Sequence, residues 1–265
     1  DDSYMSAKQV IPIIIEQFKP NSIVDIGCGV GSWLKAWEEL GIEDYLGIDG
    51  DYGDSSSLMI DEKKFMAVDL NTDFHIKDRY DLAECLEVAE HIPGSEAVNF
   101  IKKLTEFSDI IMFSAATPYQ GGTNHYNENW LEYWAIIFSE FNYVPVDFIR
   151  KKIWNNNNIR FWYRQNLILF VKKEKASIFN NDPIFNSSLS VIHPELLLWA
   201  TSKLKNNLKN INKDIQYYND IIHCLRESKG HLPTEIKHYN NLIPIKKPNH
   251  FIVAIKKLLK YLINT

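Results

Sequence analysis

No stretch of this sequence stays apolar for the roughly 20 residues that a membrane-spanning helix needs, and no leader-like segment stands at its start. A protein dissolved in the cytoplasm is expected. Cysteine is nearly absent: Cys28, Cys85 and Cys224 are three in 265 residues, an odd number with neither paired nor metal-type spacing. That argues against a disulfide framework or a zinc ribbon, and reduced thiols are expected. Glycine is scarce as well, eleven in the chain, yet three fall within five positions at Gly27, Gly29 and Gly31. Basic charge is missing from the first two-thirds, where residues 1–171 hold fourteen Lys or Arg against twenty-seven Asp or Glu. Residues 172–265 reverse this, with fifteen against seven. Nonspecific grip on a nucleic-acid backbone comes mostly from Lys and Arg, so the acidic part disfavours nucleic acid and suits a small acceptor.

What is present begins with Val24–Gly31, VDIGCGVG, an apolar strand that ends in Asp25 and opens into a G-x-G-x-G turn. A turn free of side chains lets the backbone approach a nucleoside-bearing ligand. Alone, such a turn is close to the dinucleotide fingerprint G-x-G-x-x-G. Further strands follow. Tyr45–Asp49 ends in an acid whose carboxylate can accept both ribose hydroxyls, Phe65–Leu70 carries Asp69, and Tyr80–Cys85 runs into Leu86-Glu87-Val88-Ala89-Glu90-His91-Ile92. Helical spacing marks Ser6–Phe18, interrupted early by Pro12; Ser32–Leu40, stopped by Gly41; Ser95–Phe107; and Asn129–Phe141. Ser22–Ile26, Asp109–Ser114, Tyr143–Ile149 and Gln165–Val171 complete the strands. Alternating units of this kind call for an α/β, doubly wound, mostly parallel sheet whose ligands bind beyond the strand carboxyl ends.

This succession resembles the class I S-adenosylmethionine-dependent methyltransferases. The resemblance implies a Rossmann-like, seven-stranded sheet with antiparallel sixth and seventh strands, S-adenosylmethionine as cofactor, and methyl transfer as the activity. It makes Asp25, Gly27, Gly29 and Gly31 the turn at the methionine end and Asp49 the ribose acid. It also sets Asp69 and Leu70 against the adenine and Leu86 near the sulfonium.

The chemistry is expected in the loops after the fourth and fifth strands. Glu87, Glu90 and His91 stand at i, i+3 and i+4, so one helical turn would project all three to the same side, and His125 follows the fifth strand. Two carboxylates and two imidazoles could hold a divalent ion, Mg or Mn, with positions open to substrate. The spacing is similar to the Glu-x-x-Glu-His with a distant His of small-RNA 3′-end 2′-O-methyltransferases. Without a metal, the same acids could line the pocket or cap a helix. His125 or His91 would then be the general base, with Glu87 beside them. A third option is alignment alone, since the sulfonium is already activated.

Aromatic residues gather in the same region: Tyr119, Tyr126, Trp130, Tyr133, Trp134, Trp154, Phe161, Trp162 and Tyr163. They could stack on a sugar or a base, though Trp130, Tyr133 and Trp134 have the spacing of a packed helix. Arg150, Arg160 and Arg164 are expected at the surface, and any one turned inward could fork a phosphate. The runs GGTNHYNENWLEYW and IWNNNNIRFWYRQNLILFV resemble methyltransferases encoded among bacterial capsule and surface-polysaccharide genes. That likeness implies O-methylation of a sugar, or of a sugar-borne phosphoramidate, on a glycan or a nucleotide-linked precursor. The alternatives are an RNA 2′-O-methyltransferase and a catalytically inactive cofactor-binding scaffold. No Asp/Asn-Pro-Pro-Tyr/Phe segment of the base-amino enzymes follows the fourth strand.

Residues 1–172 thus form the expected methyltransferase domain, 173–193 a linker and 194–265 a helical extension of the kind that pairs subunits, so a homodimer through these helices is one expectation. Phe251–Ile263, FIVAIKKLLKYLI, is basic and amphipathic. It could lie on an anionic membrane surface or pack on a helix of this or a second subunit.

Overall fold

The computed structural model describes residues 2–50, 57–72, 74–76, 78–179 and 188–227. The stretch 251–263 lies outside the described residues, as do 180–187 of the expected linker and the extension beyond Glu227. The chain divides into two compact units, 1–202 and 203–265.

The first unit is built on seven strands: β1 (Ser22–Ile26), β2 (Asp44–Asp49), β3 (Phe65–Ala67), β4 (Leu82–Leu86), β5 (Ile110–Ser114), β6 (Tyr143–Val146) and β7 (Ile168–Lys172). Their spatial order is β3-β2-β1-β4-β5-β7-β6. Only β7 runs against the rest, antiparallel to both β5 and β6. The sixth and seventh strands are thus antiparallel to each other, as expected, with β6 running the same way as β1 to β5. β1 and β4 are buried along nearly their whole length, because helices cover both sheet faces. On one face lie α1 (Asp2–Phe18), α2 (Ser32–Glu39), α5 (Ile149–Ile153) and α6 (Phe161–Asn166), with Ile11, Trp37 and Ile149 in the core. On the other lie α3 (Ala97–Phe107) and α4 (Leu131–Glu140), where Phe113 meets Trp134, Phe138 and Phe170 edge-on or tilted at 5.4–5.6 Å.

Several boundaries differ from expectation. Pro12 does not interrupt α1. It lies on the exposed side, where water can meet the carbonyl it leaves without a partner, while Val10, Ile11 and Ile14 are fully buried. β3 ends at Ala67 rather than Leu70, because the Asp69 carboxylate accepts from the Asn71 amide at 3.0 Å and turns the edge of the sheet away. β6 stops at Val146. The segment before β7 is helical through Asn166.

The described parts of 173–193 are tied to the first unit rather than strung free. Residues 173–179 form a 3₁₀ turn that buries Phe179. Glu132 accepts the amides of Leu189 and Ser190, both at 2.9 Å. The long helix α7 (Pro194–Glu227) follows. Among the described residues no helix is long and apolar enough to cross a membrane.

Candidate active site

The carboxyl ends of the parallel strands open on a cleft of about 660 Å³. Gly27, Asp49, Asp69, Leu70, Glu87 and His91 line it together with Asn124 and Tyr126. Six of the twelve cofactor, catalytic and metal candidates read from the sequence are thereby gathered in one cavity, whereas Asp25, Gly29, Gly31, Leu86, Glu90 and His125 do not line it.

Gly27 shapes the floor. It sits at φ +81, and a Cβ there would stand 2.3 Å from a methyl of Val88, so only glycine fits. Asp49, at the end of β2, holds the turn from the other side: its carboxylate accepts the Gly29 amide at 2.6 Å and the Gly50 amide at 2.7 Å. Asp49 also lines the cleft. Asp25 lies behind the turn, buried, in register with Glu84 on β4. Burial, and then the charge of Asp49, pushes Asp25 up to about 8. Glu84 is also raised, by burial and by Asp25; it accepts from the indole of Trp37 at 2.5 Å, and its other oxygen has no partner.

The loop after β4 departs from the expected helical turn. Glu87 has φ 57, in the left-handed region, and the 3₁₀ turn begins only at Ala89. Its carboxylate therefore leaves the face of Glu90 and His91 and accepts from Gln120 at 2.6 Å and Asn166 at 3.2 Å. Burial raises Glu87 in spite of those bonds.

Glu90, His91 and His125 do come together, each offering a ligand-type atom within 4.8 Å of the others. The two imidazole rings meet edge-to-face at 4.8 Å. Glu90 is wholly buried, and neither carboxyl oxygen has a hydrogen bond of normal geometry. Burial and the neighbouring Glu87 hold it well above the usual carboxylate range. His125 Nε2 is 4.0 Å from Glu90 Oε1, and its Nδ1 is 2.9 Å from Glu128 Oε1. Glu128 is fixed in turn by the amides of Tyr119 and Gly121. Gly122 leaves room for this ring, since a Cβ there would sit 2.1 Å from His125 Nε2.

The tautomers follow from these partners. His91 Nδ1 faces the carbonyl of Asn124 at 3.2 Å, and a carbonyl only accepts, so Nδ1 carries the proton. The carboxylate of Glu128 imposes the same on His125. His91, with its proton on Nδ1, then presents an unprotonated Nε2. Burial, and then the charge of His125, lowers His91.

No arginine of the excursion between β6 and β7 lines the cleft. Arg150 and Arg164 are buried rather than at the surface: Arg150 binds Asp147 and the carbonyls of Gln165 and Leu189, and Arg164 pairs with Glu195 at 2.6 Å. Arg160 is exposed and pairs with Asp2. Trp134 and Tyr163 belong to the core, while Tyr126, 69% exposed, stands at the cleft.

The profile of a protein family described as a methyltransferase domain matches residues 6–162, more than half of the chain. The chain belongs to that family. It is a class I S-adenosylmethionine-dependent methyltransferase domain, as its motifs led us to expect. A comparison with curated proteins gives no match. Among solved structures, the plantazolicin methyltransferase BpumL in complex with SAH is similar at 17% identity and a TM-score of 0.46, over 64% of this chain and 84% of that one. Magnesium protoporphyrin IX methyltransferase from Synechocystis PCC 6803, with bound SAH, is similar at 19% identity and a TM-score of 0.45, with the same coverage. The methyltransferase domain of bacterial CtHen1 is similar at 16% identity and a TM-score of 0.46, over 64% of this chain and 97% of that one.

Sequence reasoning missed Glu128, Gln120 and Asn166. The His125-x-x-Glu128 spacing was the one local sign. Gln120 and Asn166 reach Glu87 across 33 and 79 residues of chain, and nothing local marks them.

Proposed function

We propose that this methyltransferase domain moves the sulfonium methyl of S-adenosylmethionine onto a hydroxyl of a carbohydrate or nucleotide-linked sugar precursor, in the making of a capsule or surface polysaccharide. The observation that carries the reading is the single cleft that joins Asp49 and Asp69 to His91. Asp49 and Asp69 hold the nucleoside, and the acceptor oxygen attacks from the His91 side. The O–C bond forms as the C–S bond breaks, S-adenosylhomocysteine leaves, and the acceptor proton passes to His91 Nε2. A neutral imidazole suits that step, and the lowered His91 stays neutral at ordinary pH. His125, held by Glu128, stands behind His91 and fixes its ring edge-on.

A small acceptor is favoured by the acidity of residues 1–171 and by Tyr126, whose ring can cover the apolar face of a sugar. The buried, engaged state of Arg150 and Arg164 removes them as phosphate forks. The likeness of the runs around 121–134 and 153–171 to polysaccharide-locus methyltransferases supports the same acceptor class.

The buried carboxyl of Glu90, without a hydrogen-bond partner and beside the imidazoles of His91 and His125, fits a divalent cation. Glu90, His91 and His125 would hold it, with Glu87 outside the group. Such an ion would supply Lewis-acid polarisation of the acceptor hydroxyl. This cluster also favours a second reading, 2′-O-methylation of RNA.

The test is transfer of labelled methyl from S-adenosylmethionine to nucleotide-sugars, capsule fragments and short RNAs, with and without chelator and added Mg or Mn. Labelling of a glycan precursor is expected. Chelator sensitivity would assign the cluster to a metal and insensitivity would leave His91 as the base, while labelling of RNA alone would overturn the acceptor class.

A further inference from the structure

Within the second unit, α7 exposes an apolar stripe among the described residues. Leu204, Leu208, Ile211 and Ile215 are 57, 59, 52 and 49% exposed. Their intervals of four, three and four residues continue in the sequence through Tyr218, Ile222 and Leu225. An amphipathic helix lying on a globular core drifts around its axis at 3.6 residues per turn. A strict 3.5-residue period keeps its seam straight only when helices supercoil around one another. The period is held over three heptads, and no charged residue interrupts it: Lys203, Lys205, Lys209, Lys213, Asp214 and Asp220 all fall outside the seam.

We propose that the seam pairs with the same seam of a second copy, in a parallel two-stranded coiled coil. The flanking residues argue for that partner and orientation. In a parallel pair Asn207 stands opposite Asn212 of the second copy, and Asp214 opposite Asn219, with no like charges facing. An antiparallel pair matched on the same apolar layers sets Asp214 against Asp214 of the second copy, which is repulsive. The inference rests on the helix alone and stands apart from the acceptor or the metal.

Light scattering of the full chain is expected to give a mass twice 30.9 kDa. The double variant Leu208→Lys, Ile215→Lys is expected to give the single mass, with S-adenosylmethionine binding unchanged by calorimetry, which shows that the first unit remains folded. Orientation is read from Ile211→Cys in a Cys224→Ser chain, whose other cysteines, Cys28 and Cys85, are buried. A parallel pair gives a covalent dimer under mild oxidant. A monomeric wild type, as when residues 228–265 of the same chain cover the seam, or a dimer that survives both lysines overturns the proposal. Absence of the crosslink overturns the parallel arrangement.

Discussion

At the scale of single residues, Asp49 joins the glycine turn to the cleft, because its carboxylate takes two backbone amides and lines the cavity. Hydrogen bonds to a charged group contribute about 1.5–3 kcal/mol each. Asp49→Asn, which turns an amide donor toward those N–H groups, is therefore expected to weaken S-adenosylmethionine binding by roughly tenfold to a hundredfold in a calorimetric titration. Glu128→Gln is expected to separate binding from chemistry. The side chain keeps its volume but loses the charge that fixes the His125 tautomer, so kcat falls while cofactor affinity holds. Equal loss in both would show that Glu128 only supports the loop. Asp49, Asp69 and His91 were legible in the sequence because strand-end acids and a glycine turn are local signals. Glu90 looked the same on paper as Glu87, and only the positive φ at Glu87 separates their destinations.

At the scale of elements, local patterning located the central strands best. Ser22–Ile26 is the strand expected, because a strand buried on both faces must be apolar nearly throughout. Edges were read less well. β3 and β6 lie at the two ends of the sheet and are cut short by an Asx turn and by entry into α5. The reversal of β7 left no mark on its own residues, since strand direction is decided by where the partner strands lie. Two substitutions probe the elements. Gly27→Ala brings a Cβ against Val88 at a left-handed φ and is expected to cost roughly tenfold or more in cofactor affinity. Phe113→Ala empties the centre of a ring cluster and is expected to lower unfolding free energy by about 3–5 kcal/mol in urea.

At the scale of the whole molecule, the buried acids beneath the glycine turn set the pH response of stability. Asp25, raised to about 8, and Glu84, also raised, hold protons that the unfolded chain releases near its ordinary carboxyl range. The unfolded state then binds fewer protons, so stability is full at acid pH and is lost as pH rises through the raised values. The melting temperature of the wild type is expected to fall from about pH 5 to about pH 9, and that of Glu84→Gln, which still accepts from Trp37, to fall less. Parallel slopes would show that these acids do not control it.

The sheet order also bears on how the chain is made. Of the described strands β7 is the last to leave the ribosome, yet its place is between β5 and β6, which bond to it and not to each other. Until residue 172 has emerged, both neighbours present bare edges, and an edge left open invites pairing with another nascent chain. Translation is therefore a race between the arrival of one five-residue strand and capture of the gap that waits for it.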